Sequence, residues 1–253
     1  MTASTFSYPF VPIANSQLRE IKSSIIGQDY QVKIRLPEDY ENTTTLYPAL
    51  YLLDGDHAFA MATDIVQYLI YGGQIPDLII VSPAYDSKNP PNEGGKNMRG
   101  RDLAPFQTRY TDLTPGAEQY LNFFQQELIP FVESNYRVIP NDRTIWGYSI
   151  GGAFTLFALF TQPNLFQRYI IVDGFWDEIL KMEETYAVQH KDLASRLVIA
   201  SPPNDVECKQ FFDNMNRRNY TDFRSEFVLL NDMRHFVVPA EGLAKGLVYA
   251  FGK

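Results

Sequence analysis

The sequence predicts an α/β fold: a mainly parallel central sheet, helices on both faces, and antiparallel strands at the N-terminus. Three observations predict it. From about residue 47 onward, short apolar runs alternate with helical stretches, the pattern of repeated strand–helix–strand units. Runs such as Ala49-Leu50-Tyr51-Leu52-Leu53 and Leu78-Ile79-Ile80-Val81 are continuously apolar, as strands buried on both faces are. The run Thr144-Ile145-Trp146 passes through Gly147-Tyr148-Ser149-Ile150-Gly151-Gly152 into an apolar helix beginning at Ala153. At 253 residues the chain is long enough for one such domain with a large core. No repeat or linker-like tract divides it, so residues 1–253 are expected to form a single domain.

The elements follow in order. Strands are expected over 19–25 and 30–36. The second alternates, with Val32 and Ile34 on one side and Gln31, Lys33 and Arg35 on the other, as a half-exposed antiparallel edge would. The buried strand 49–53 ends in Asp54-Gly55-Asp56-His57. A helix over 58–71 closes at Gly72-Gly73, and the strand 78–81 follows. Residues 84–114 are rich in Pro, Gly, Asn and Arg and show no period. A loop this long after a buried strand is expected to wall or cap a pocket at the carboxyl edge of the sheet. The helix 117–132 carries Leu121, Phe124, Leu128 and Phe131 on one face. After the elbow come a strand at 169–172, a helix at 177–189, a strand at 197–200, a helix at 206–217, a strand at 226–230 and a helix at 240–251.

Composition narrows the function. A net charge of −8 argues against nucleic acid, which needs an excess of Lys and Arg, and disfavours a polyanionic substrate. Residues 1–17 show no basic segment followed by an apolar run, and no stretch of about 18 apolar residues occurs, so no membrane span is expected. The single cysteine, Cys208, excludes an internal disulfide and fits a reducing compartment. The expected location is cytoplasmic, with Cys208 a small semi-buried residue. No Cys/His or carboxylate set has metal-ligand spacing and no G-x-G-x-x-G follows a strand, so neither metal nor cofactor is expected; Gly94-Gly95 reads as loop glycine.

A G-x-S-x-G between strand and helix is the nucleophile elbow of an α/β-hydrolase fold. It makes Ser149 the candidate nucleophile. The Ile150 N–H, at the start of a helix, becomes one oxyanion donor. The second donor is expected from the loop after the third strand, at the Asp56 backbone amide. Serine needs a base. Of the three histidines, His190 sits in a polar stretch and reads as a helix-end residue, and His57 as a pocket-mouth residue. His235 stands after the last strand, where this fold carries its base. The acid is expected after the penultimate strand, where Asp205 is the first carboxylate and Glu207 the second. Asp205 serves equally well as a cap for the following helix. A catalytically silent protein on the same fold is the rival from another class.

Several segments resemble one family as a set. Tyr47-Pro48-Ala49-Leu50-Tyr51-Leu52-Leu53-Asp54-Gly55, Ile34-Arg35-Leu36-Pro37-Glu38-Asp39-Tyr40, Glu127-Leu128-Ile129-Pro130-Phe131-Val132-Glu133 and Arg143-Thr144-Ile145-Trp146-Gly147-Tyr148-Ser149-Ile150-Gly151-Gly152 resemble signatures of the putative-esterase family, the enterochelin esterase-like (esterase D-like) α/β-hydrolases. That family's R-x-x-D-L-T-P element is matched by Arg109 to Pro115, with a near copy from Arg99 to Pro105. The resemblance implies a cofactor-free hydrolase of small-molecule carboxylic esters, with the nucleophile at Ser149 and the histidine at His235. The family's acid motif falls on Pro202-Pro203-Asn204-Asp205, which lacks its glycine, so a Ser149–His235 dyad stays open. An acyltransferase using the same acyl-enzyme also stays open. The family's S-P-S-x-W-W stretch is replaced by Val172-Asp173-Gly174-Phe175-Trp176-Asp177.

Overall fold

Alternating apolar strands and helices assemble as the sequence pattern requires. The computed structural model describes residues 11–85, 98–108 and 113–252. Its elements are β1 (Ser16–Ser23), β2 (Gln28–Arg35), β3 (Tyr47–Leu52), α1 (Gly55–Tyr71), β4 (Ile79–Ala84), α2 (Met98–Asp102), α3 (Ala117–Phe123), α4 (Ile129–Asn135), β5 (Val138–Tyr148), α5 (Ile150–Thr161), β6 (Arg168–Val172), α6 (Glu178–Gln189), β7 (Arg196–Ser201), α7 (Val206–Arg217), β8 (Arg224–Leu229) and α8 (Pro239–Phe251). The strands form one sheet in the order β1-β2-β4-β3-β5-β6-β7-β8. β2 runs antiparallel to both its neighbours, and β3 to β8 are mutually parallel. The fold is therefore that of an α/β-hydrolase. β2 is not the edge strand its alternation suggested: β1 covers it, and Arg35 is buried.

Side chains along the strands alternate between two cores. Ala49, Tyr51 and Leu53 join Leu121, Phe154, Ile179 and Phe211 on the face covered by α3 to α7. Leu50 and Leu52 join Phe59, Val66, Leu243 and Leu247 under α1 and α8. The period of two thus assigns each residue to a helical layer. The chain leaves β3 toward β4 and returns to β5 on the other side of β3, so the strand order reverses between β3 and β5. In open α/β sheets the crevice at such a point binds ligand.

Of the expected loop over 84–114, residues 86–97 and 109–112, including Gly94, Gly95 and Arg109, lie outside the described residues. The remainder contains α2, which the sequence pattern did not suggest. The helix expected over 117–132 runs through α3 and α4 with a wider turn at Phe124–Leu128, where the Ile129 N–H donates to the Phe124 carbonyl. Pro130 has no N–H to continue the ordinary ladder, which favours this local widening. Among the described residues no helix is long and apolar enough to cross a membrane.

Candidate active site

The elbow is a strained turn built into the end of β5. Ser149 has φ 55 and ψ −126, outside the regions a side-chain-bearing residue prefers. Surrounding bonds hold it there. Its N–H donates to the Val172 carbonyl at the end of β6 (3.0 Å), and its own carbonyl accepts from Gly152 (2.8 Å) and Ala153 (3.2 Å). Gly147 must lack a Cβ, which would sit 2.1 Å from the Gly151 carbonyl oxygen. The turn sets the Ile150 N–H at the first residue of α5, an amide with no intrahelical partner.

His235 lies between β8 and α8. Its Nε2 is 3.0 Å from Ser149 Oγ, and its Nδ1 is 2.6 Å from Asp173 Oδ2. With the Nδ1 proton donated to the carboxylate, Nε2 is left as the acceptor for the serine hydroxyl. Three groups from three loops thus form one continuous hydrogen-bonded line.

The carboxylate in that line is Asp173, not the expected Asp205. Register explains why. Tyr148 pairs with Val172 across β5 and β6, so the next residues, Ser149 and Asp173, leave neighbouring strands side by side. Asp205 instead caps α7, accepting from the Cys208 N–H (3.0 Å) and the Ser201 hydroxyl (3.2 Å). Burial holds its carboxyl above the ordinary range. Glu207 is exposed on the first turn of α7. Asp173 escapes a search confined to the loop after the penultimate strand. In the sequence it is marked only as the first carboxylate after the apolar run 169–172, and nothing there sets that run beside the elbow strand.

α8 sets the path of the loop carrying His235. Gly242 lies against Val172 so closely that a Cβ there would be 2.4 Å from Val172 Cγ1. The helix therefore lies on β6, and the loop preceding it passes near the Ser149 end of the sheet. The other histidines are elsewhere. His57 is exposed in the first turn of α1, and His190 caps α6 with its ring stacked on Tyr186. Cys208 is buried and free, and burial pushes its thiol up to about 12.

Asp56 also lies in the first turn of α1, next to the elbow side of the sheet. Its carboxylate accepts from the Tyr85 N–H (2.9 Å) and faces Lys33 Nζ at 3.7 Å. Asp54, ahead of it, adopts φ 61 and is paired by both arms of Arg99. That pair ties α2 to the turn after β3. Among the described residues no group of three or more His, Cys, Asp or Glu could hold a metal ion.

The family model described as "Putative esterase" matches residues 23–205. The chain belongs to this esterase family. It is 29% identical over 185 residues to ferri-bacillibactin esterase BesA of Bacillus subtilis, covering 67% of this chain and 60% of that protein. It is 27% identical over 199 residues to the siderophore triacetylfusarinine C esterase of Aspergillus fumigatus, covering 70% and 62%. The chain thus spans less than two thirds of the length of these relatives. Among solved structures, an IroE-like serine hydrolase from Shewanella oneidensis superposes with a TM-score of 0.81 at 25% identity, covering 93% of this chain and 80% of that one. The BES protein from Bacillus cereus superposes with a TM-score of 0.82 at 22% identity over 98% of both chains, a likeness of fold.

Proposed function

We propose that this chain is a serine hydrolase that cleaves carboxylic esters through an acyl-enzyme on Ser149. The observation that carries the reading is the hydrogen-bonded line from Ser149 Oγ through His235 to Asp173. Ser149 Oγ attacks the acyl carbon while His235 Nε2 takes its proton. The N–H groups of Ile150 and Asp56 stabilise the oxyanion, each such donor being worth about 10²–10³ in rate. On collapse the bond to the alcohol oxygen breaks and the imidazolium protonates the departing alcohol. Water then attacks the acyl carbon, giving its proton to His235. The bond to Ser149 Oγ breaks, Oγ regains a proton and the acid leaves. Asp173 stays ionised throughout, holding the imidazole tautomer and stabilising the imidazolium.

The chain works as one catalytic domain over residues 1–253, since one sheet carries all these groups. The free Cys208 supports a cytoplasmic setting, which cell fractionation tests. The named relatives favour ester-linked siderophores as substrates. The net charge of −8 favours a neutral form over a strongly anionic ferric complex.

Ser149→Ala should abolish ester turnover with an unchanged melting temperature, and a fluorophosphonate should label Ser149 in the wild type. Full activity in the alanine variant overturns the mechanism. Esters of siderophore type and simple aryl esters, compared by kcat/KM, test the substrate class. A competing alcohol that captured the acyl group in preference to water would instead identify an acyltransferase.

A further inference from the structure

The loop that carries His235 is weakly held. Met233, Phe236 and Val237 on either side are 63%, 89% and 48% exposed. The loop's own contacts are mostly local. Asp232 pairs with Arg234, the Val237 N–H donates to the Arg234 carbonyl, and Asn231 bonds to the Glu241 carboxylate on α8. A segment with so little buried surface opens readily. Yet the Ser149 hydroxyl must meet Nε2 within hydrogen-bond distance at every turnover, and misplacement by about 1 Å can cost on the order of 10²-fold in rate.

One contact ties the backbone of His235 itself to the sheet. Tyr148, the last residue of β5, donates its hydroxyl to the His235 carbonyl at 2.7 Å. Its ring also lies against the imidazole, with centroids 4.7 Å apart and planes at 33°. Its root is rigid, because Tyr148 pairs with Val172 inside the parallel ladder and packs on the core under α1 and α8. Burial, then the nearby Asp173 carboxylate, raises the phenol above its ordinary value, so the group remains a donor at neutral pH. The residue immediately before the nucleophile therefore grips both the backbone and the ring of the base.

We infer that Tyr148 is a positioning residue that fixes His235 against Ser149 through its hydroxyl-to-carbonyl bond. The inference rests on the serine-hydrolase reading above. Beside the Asp173 carboxylate on the ring and the seat of α8 behind the loop, Tyr148 gives the backbone of His235 an anchor rooted in β5.

Tyr148→Phe tests it, because the substitution keeps the ring and removes only the bond. The expected result is a fall in kcat of about tenfold with KM within twofold, and a parallel fall in the rate at which a fluorophosphonate labels Ser149. The melting temperature should change by no more than a few degrees. A double-mutant cycle separates positioning from general structure. In a His235→Ala background, Tyr148→Phe should leave the residual rate unchanged, since there is no base left to place. An equal loss in both backgrounds, or wild-type kcat and labelling in the single variant, overturns the inference and leaves the mechanism standing. A wild-type protein that neither hydrolyses esters nor reacts with the probe overturns the serine-hydrolase reading itself, and this inference with it.

Discussion

At the scale of single residues, the hydrogen-bond partner of His235 separates two candidate carboxylates. Asp173 and Asp205 are both carboxylates at the carboxyl edge of the sheet, and after burial the Asp173 charge adds to the rise of the Asp205 pKa. Only Asp173 leaves a strand that adjoins β5, and only it touches His235. Asp173→Asn should therefore lower kcat by about 10⁴, as in the serine-protease template. Asp205→Asn should leave kcat within a few-fold, as measured by ester hydrolysis on both variants. The reverse ranking would return the role to Asp205. A pH effect on stability accompanies the second variant. Burial raises the folded-state pKa of Asp205 above its unfolded value. The folded state then holds the proton more tightly, so this group's contribution is present at low pH and is lost as pH rises through the folded value. Asparagine keeps a cap acceptor without that charge. The Asn variant should therefore match or exceed the wild type in melting temperature at neutral pH, and lose that advantage below the carboxylate range.

At the scale of elements, what was legible in the sequence was whatever a local pattern dictates. Continuous apolar runs marked β3, β4 and β6, and the glycines around Ser149 marked the elbow, because burial and steric exclusion act on nearby residues. Three features were not legible, since each depends on a distant partner. β5 begins at Val138, well ahead of the apolar run Thr144-Ile145-Trp146, because Val138 pairs with Tyr47 of β3 across a register shift over residues 139–142, where Asn141 has φ 59. β2 reads as an edge until β1 covers it. Asp173 reads as a loop residue until β6 lies beside β5. The seat of α8 is a further case of long-range dependence, and it can be tested. Ala at position 242 would gain up to about 1 kcal/mol of helix propensity. Its Cβ would also press 2.4 Å from a stiff, buried valine methyl, and overpacking of this kind costs about 1–3 kcal/mol. The clash should win. Gly242→Ala is expected to lower the melting temperature and, by lifting the helix off β6, to lower kcat as His235 moves away from Ser149. A variant as stable and active as the wild type would show that α8 does not set the position of that loop.

At the scale of the whole molecule, the groups proposed to be catalytic come from the ends of β5, β6 and β8, with the turn after β3 alongside, and one buried carboxylate fastens the sheet to the segment next to them. Asp102, 1% exposed, accepts from Tyr30 Oη on β2 (2.6 Å), from Tyr85 Oη just after β4 (2.8 Å) and from Arg101 Nε (2.6 Å). Two residues earlier than Arg101, Arg99 grips Asp54 beside the elbow. A buried charge is stable only while its partners remain, so the cost of removing it exceeds that of removing any one donor. Asp102→Ala would leave the Tyr30 and Tyr85 hydroxyls without their acceptor and Arg101 with Gln28 and the Tyr30 hydroxyl alone, and should cost about 3–5 kcal/mol. Tyr85→Phe would leave the carboxylate two donors and should cost about 1 kcal/mol. Urea titration of both variants measures the difference. The larger loss should also raise KM or lower kcat, because α2 would then be free to pull Arg99 away from Asp54. Equal and small losses in the two variants would mean that the segment around α2 is held by its apolar contacts, with Leu103 and Ala104 in the core carrying the attachment instead.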